Sequence, residues 1–289
     1  MSAPPASPTA ARSSTLSAQA EGLDALPAGR SPAAGEGLYV YCVARGNGVQ
    51  RVLGLIGLDG QAVYTVGGGD LCAIVHDCPN EPYQSPDPAV VQAWVVAHQD
   101  VIRAAGEAFG TVLPMAFDMI VHGGPGGAAP AALRSWLDEK RERFTRLLGK
   151  LAGKAEYGIQ VLWDRQAVAA ALVAGDDRLR AMQNEIQGKS KGLAHVLGQK
   201  LAQAVRAALE QQADRFAQDC YGRIRQCVDE VHVDQLKKAD EPLQMLLNLS
   251  CLASQGSGEL GRVLDEIQKT NSVSVRFTGP WPPYSFVGG

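Results

Sequence analysis

The chain is short of the features that usually betray chemistry. It has no Gly-x-Ser-x-Gly elbow, no Rossmann fingerprint and no Walker sequence, so none of the common nucleophile or phosphate sites is written into it. Its histidines, His76, His98, His122, His195 and His232, include no His-x-x-x-His pair. Its cysteines, Cys42, Cys72, Cys78, Cys220, Cys227 and Cys251, include no Cys-x-x-Cys pair, which removes the usual zinc and redox spacings. An excess of one charge is lacking as well. A net charge of -3 gives no electrostatic case for nucleic acid or an anionic membrane as partner. The longest purely apolar run, Ala167 to Ala174, falls far short of the roughly 18 residues that a membrane span needs. Scattered thiols with no secretory segment ahead of them are expected to be reduced, mostly buried and cytosolic.

What is present is a soluble core and one unusual end. A 46% hydrophobic content over 289 residues is enough to bury one or two domains. Residues 1–37 are mostly Ala, Pro, Ser and Gly and are expected to be a disordered tail. Alternation predicts strands over Leu38–Val43, Gln61–Val66 and Leu71–His76, the last two joined by a turn at Gly67-Gly68-Gly69-Asp70. That turn leads into a strand and lacks Gly-Lys-Ser/Thr, so it is not a phosphate loop. Asp87-Pro88 opens a helix with apolar residues from Val91 to Ala105 on one face, His98 among them. Thr111–Val121 is predicted to be extended and interrupted at Pro114, with a loose loop at Gly123–Gly127. A second helix is striped by Leu133, Trp136, Leu137, Phe144, Leu147, Leu148 and Leu151.

From Glu156 a new pattern begins: a strand to Trp163, two short helices broken at Gly175, and a long helix from Leu193 to Ile224. Strands follow at Val231–Leu236 and Leu243–Cys251, then a helix over Leu260–Ile267 and a last strand, Ser272–Thr278. The order β, long α, β, β, α, β is a split βαβ, or ferredoxin-like, unit. The fold class is therefore α+β with two domains: an N-terminal α+β domain over 38–153 and a C-terminal ferredoxin-like domain over 154–289. In that topology the last strand is an edge strand, and Gly279-Pro280 is expected to end it.

Phe277 to Phe286 holds four aromatics and three prolines in ten residues, in a chain that is only 6% aromatic. A proline-stiffened segment offers large rings at little entropic cost, which suits a docking surface; folding back over its own sheet edge is a second reading, compatible with the first. Candidate partner-binding residues are Trp281, Pro282, Pro283, Tyr284 and Phe286, with Leu113, Pro114 and Phe117 as a second surface. The nearest approach to a reactive site is Cys72, His76 and Asp77, with Cys78 placed before Pro79 at a turn. No catalytic, cofactor-binding or metal residue is assigned, and a small-molecule-binding or enzymatic site near Cys72, His76 and Asp77 is the alternative reading.

Phe277-Thr278-Gly279-Pro280-Trp281-Pro282-Pro283-Tyr284-Ser285-Phe286-Val287 resembles the C-terminal signature of the gas vesicle protein F/L family (GvpF/GvpL). So do Leu38-Tyr39-Val40-Tyr41, the Gly-Asp-Leu at Gly69, the His98 helix, Thr111-Val112-Leu113-Pro114-Met115, Gly153-Lys154-Ala155-Glu156-Tyr157-Gly158 and Asn248-Leu249-Ser250-Cys251-Leu252. The resemblance implies a two-domain, non-enzymatic accessory factor for gas vesicle assembly, located at the gas vesicle in the cytoplasm. Its implied partners are the small hydrophobic shell protein and other accessory proteins, with no nucleic acid and no membrane span. Where the family typically reads Leu-Pro-Met-Arg-Phe-Gly, this chain has Ala116 and Asp118, and near Gly192 it has His195-Val196 where Gly-x-x-Tyr-Leu is usual.

Overall fold

A computed structural model describes residues 36–46, 52–123, 128–256 and 258–288. The first sheet has strands β1 (Glu36–Arg45), β2 (Val52–Ile56), β3 (Ala62–Gly68) and β4 (Leu71–Pro79). It also includes the short β5 (Val112–Pro114) and β6 (Ile120–His122). Their order is β2-β3-β4-β1-β5, with β6 pairing the other end of β1. Helix α1 (Pro88–Phe109) covers one face, and α2 (Ala129–Glu139) with α3 (Arg141–Leu151) covers the other. β1 is the strand every layer needs. Leu38 to Ala44 are fully buried, because both faces of the sheet are covered rather than the one that alternation suggested.

A β-bulge at Tyr41 shifts the register between Val40↔Val75 and Cys42↔Ile74. It turns Tyr39, Tyr41, Cys42 and Ala44 toward α1, and Leu38, Val40 and Val43 toward α2 and α3. The predicted alternation across Tyr41–Val43 is broken by that extra residue.

Several expectations change in detail. Residues 36 and 37 belong to β1; the rest of the predicted disordered tail lies outside the described residues, as do residues 124–127 of the predicted loop. The extended segment around Pro114 is two strands, and the break comes after the proline, over residues 115–119. The single helix expected from Leu133 to Leu151 is two, bent at Lys140, whose ψ of 3 leaves the helical range. No Pro or Gly marks that bend. Cys78 lies inside β4, not at a turn.

The second sheet holds β7 (Lys154–Asp164), β8 (Glu230–Val233), β9 (Leu243–Ser254) and β10 (Val273–Trp281) in the order β10-β7-β9-β8, every pair antiparallel. With α6 (Lys191–Gln226) and α7 (Gly258–Gln268) as crossovers, this is the ferredoxin-like order. α4 (Arg165–Gly175) and α5 (Asp177–Ile186) pack on α6, which at 36 residues is roughly 54 Å long. Asp164 and Asp176 cap α4 and α5 by accepting backbone N–H bonds, which fixes the break after Gly175. Ile159, Val161, Leu247, Leu249 and Cys251 face α6 and α7; on the opposite face Leu252 joins the first sheet's cluster with Leu148 of α3.

β10 does not stop at Gly279-Pro280. Pairing resumes at Trp281↔Glu156 after a bulge that holds both residues, so the N–H that Pro280 lacks is not required there. Gly279 has φ +117, and a Cβ on it would come within 2.8 Å of the Glu156 carbonyl oxygen, so only glycine fits.

Candidate functional site

After Trp281 the chain leaves the edge of the second sheet and crosses to the first as a strap ending in a 3-10 turn, Tyr284–Phe286. The strap is fastened at four points. The Glu156 carboxylate accepts from the Ser285 N–H at 2.8 Å and from its hydroxyl at 2.7 Å. Gln99 Nε2 donates to Tyr284 Oη at 3.1 Å, and Arg143 donates to the Val287 carbonyl at 3.0 Å. Phe286, only 5% exposed, is buried with Leu113, Met115, Leu148 and Leu252. Tyr284 packs on the other face beside His98, and burial pushes its hydroxyl well above the usual pKa. Both faces of the first sheet are thus held by one short segment from the second.

The candidate residues divide accordingly. Leu113 and Pro114 are buried in β5, Pro283 and Phe286 are buried in the strap, and Phe117 and Tyr284 are half-buried against His98. The structure brings both predicted surfaces together, but as an interior seam: Phe286 shares one buried cluster with Leu113, and Tyr284 shares another with Phe117. Trp281 is different. It stands 51% exposed at the end of β10, with Pro282 half-buried beside it.

Pro280, Trp281, Pro282 and Pro283 wall a cleft of about 680 Å3, with the outer stripe of α1 opposite and Gly153, Lys154 and Ala155 at one end. The α1 stripe is Gln99, Ile102, Arg103, Gly106 and Glu107. The charges here are engaged: Arg103 bonds Asp100 at 3.0 Å and Glu107 at 3.1 Å within α1, and Lys154 bonds Asp229, outside the cleft, at 2.9 Å. Apart from Gln99, Thr111 and Gln255, what remains of the lining is apolar or glycine, and Val95 and Val96, both exposed, lie one turn up the same helix. A Cβ at Gly106 would meet open space, so this mid-helix glycine leaves the cleft floor low at a cost of about 1 kcal/mol to the helix. The α1 wall and the Glu156 clasp were not among the residues singled out in the sequence. The glycine inside a strong helical pattern was the one available signal.

Cys72, His76 and Asp77 do not form a site. Cys72 and His76 face α1 but sit four residues apart along β4, roughly 13 Å in extended chain. Asp77 takes the Tyr64 hydroxyl at 2.6 Å, and Tyr64 belongs to the opposite face. His76 is stacked on Tyr39 and bonded to the Tyr83 hydroxyl, while Tyr39 Oη bonds His98 Nδ1. Burial lowers both histidine pKa values to about 4, opposed weakly by Asp59 at His76 and by the Met115 backbone at His98. Burial also raises the Cys78 thiol to about 11. Among the described residues there is no group of three or more potential metal ligands.

The departures at Ala116 and Asp118 fall in the loop between β5 and β6. Ala116 is exposed. Asp118 adopts φ +69, a conformation natural to glycine and tolerated by aspartate. Here its carboxylate accepts from the Tyr83 N–H and its own N–H donates to Tyr39 Oη, tying the loop to the aromatic cluster.

These features define a two-sheet α+β protein, ferredoxin-like in its second half, whose halves are laced by a proline-aromatic strap. The same architecture occurs in the crystal structure of the gas vesicle protein GvpF from Anabaena, with a TM-score of 0.67 at 21% identity, covering 88% of this chain and 98% of that one. GvpF from Microcystis aeruginosa matches with a TM-score of 0.61 at 18% identity, over 87% and 99%. Residues 37–288 match the family described as gas vesicle synthesis protein GvpL/GvpF, and the chain belongs to that family. Gas vesicle protein L1 of Halobacterium salinarum is 33% identical, covering 86% of this chain and 90% of its own length. Gas vesicle protein F of a Streptomyces species is 30% identical over 86% and 98%. No helix among the described residues is long and apolar enough to cross a membrane.

Proposed function

We propose that this chain is a non-catalytic accessory protein of gas vesicle assembly, acting at the vesicle in the cytoplasm by binding the small hydrophobic shell protein together with other accessory proteins. The observation that carries this reading is the cleft between α1 and the Pro280–Pro283 wall, with half-exposed Trp281 on its rim. A shell subunit with a very apolar surface has to be kept from aggregating before it polymerises. A rigid proline wall facing a low helical floor offers such a segment apolar area without the cost of ordering a loop. Trp281, Pro282 and the α1 stripe make the direct contact in this reading. Pro283, Tyr284, Phe286, Leu113, Pro114 and Phe117 support it from beneath by fixing the strap.

The test is co-purification of the shell protein with Trp281→Ala and with Gly106→Gln, which raises the cleft floor. Both variants should lose shell protein while keeping the native circular dichroism. Undiminished recovery with both would remove the cleft from the interface. Deletion in the native host should abolish floating vesicles, and normal buoyancy would refute the assembly role itself.

A further inference from the structure

The face of the second sheet turned away from α6 and α7 is not bland. Paired residues run across it in rungs: Arg276–Gln160–Asn248, then Thr278–Gly158–Ser250–His232, then Trp281–Glu156–Leu252–Glu230. The chain leaving β8 folds along the far side, with the Asp234 N–H donating to the Asn248 carbonyl at 2.8 Å and Asn248 Nδ2 donating to the Gln235 carbonyl at 2.8 Å. The result is a groove of about 580 Å3. Arg276, Thr278 and Trp281 form one wall and Asp234 to Lys237 the other, three strand spacings or roughly 14 Å away.

The groove's hydrogen-bonding capacity is lopsided. Its carboxylates are engaged: Glu156 holds Ser285 of the strap, and Asp234 accepts the Ser250 hydroxyl at 2.9 Å. Gln160 Nε2 donates to Asn248 Oδ1 at 3.3 Å, so the floor satisfies itself. Its cations are not engaged. Among the described residues, neither the Arg276 guanidinium nor the Lys237 ammonium has an ion-pair or hydrogen-bond partner. Each wall also presents a large exposed apolar side chain, Trp281 on one side and Leu236 at 58% exposure on the other. Glu156 and Asp234 also line it, so the groove is no general sink for anions. What it lacks is acceptors in front of two opposed cations, each beside an apolar rest.

We propose that this groove docks an acidic segment of a partner protein, whose carboxylates pair with Arg276 and Lys237 and whose apolar side chains rest on Trp281 and Leu236. This occupant is chemically unlike an apolar shell segment and lies on the other side of the strap; Trp281 is the wall that the two surfaces share.

The experiment is fluorescence anisotropy on the full chain with a fluorescein-labelled peptide of repeated Glu-Glu-Leu and its Gln-Gln-Leu counterpart. The acidic peptide should bind saturably and about tenfold tighter than the amide peptide, and the double variant Arg276→Ala with Lys237→Ala should weaken it about tenfold. Arg103→Ala, on the α1 side, should leave it unchanged. Equal binding of the two peptides, no saturable binding, or equal losses from Arg103→Ala would each overturn the proposal. No shell protein is present in this assay, so its failure leaves the cleft reading standing, and the reverse holds for the co-purification test.

Discussion

Replacing Phe286 by alanine tests whether the C-terminal strap is a clasp or an ornament. The ring is 5% exposed and sits among Leu113, Met115, Leu148 and Leu252, so it joins residues from both sheets. Losing a buried phenyl ring costs about 3–5 kcal/mol in transfer and cavity terms. Phe286 sits in a three-residue 3-10 turn rather than in a sheet or long helix, so the site can relax and a loss of about 3 kcal/mol is expected. Against a total of about 5–15 kcal/mol that is a large fraction, and it lowers Tm by roughly 6–12 °C for a protein of this size. Trp281→Ala, five residues before the 3-10 turn's last ring and half exposed, should change stability by no more than about 0.5 kcal/mol. Urea unfolding followed by circular dichroism measures both on one scale. If the two variants shift the midpoint equally, Phe286 does not join the sheets and the division between clasp and contact residue is wrong.

Acid should loosen the first sheet. His76 and His98, at 0% and 2% exposure, have folded pKa values of about 4 against an unfolded value of 6.5. The unfolded chain therefore takes up protons first as pH falls. Stability is intact above about pH 6.5 and declines between there and pH 4, by about 2 kcal/mol per histidine at pH 5. Urea midpoints at pH 7 and pH 5 should converge when both are replaced by glutamine; an unchanged difference would count against the two histidines as its source. Glu156→Gln keeps the shape but removes the charge that receives Ser285, a change of about 1–3 kcal/mol concentrated in the strap. Hydrogen exchange should then quicken at residues 282–288 more than in β9, and uniform quickening would refute the local effect. Gly279→Ala forces a Cβ toward the Glu156 carbonyl at φ +117 and should cost about 1–3 kcal/mol in thermal unfolding.

Much of the architecture was legible because its causes are local. Alternation at Ile159, Val161 and Trp163, and the Asp87 and Asp164 caps, are decided within a few residues. The element order of the second half then leaves the ferredoxin-like arrangement as the simplest antiparallel solution, and the edge position of β10 follows from it. The bend at Lys140 carries no proline or glycine, and the bulge at Tyr41 no proline, glycine or polar break, because packing against the opposite layer sets them. The same limit governed the site. Side-chain chemistry marked Trp281, Tyr284 and Phe286 as one group of rings, yet which ring faces water depends on where the strap lands.

By itself, then, the sequence determined that the chain builds two α+β units, carries none of the common catalytic motifs, and ends in a stiff aromatic segment mounted on a sheet edge. Tertiary structure alone decided that Tyr284 and Phe286 turn inward while Trp281 stays out, and that α1 supplies the opposite wall. The physical reason is range: hydrogen-bond periodicity and backbone restriction act between neighbours in the chain, whereas burial is settled by surfaces more than a hundred residues apart, such as Glu156 and Ser285.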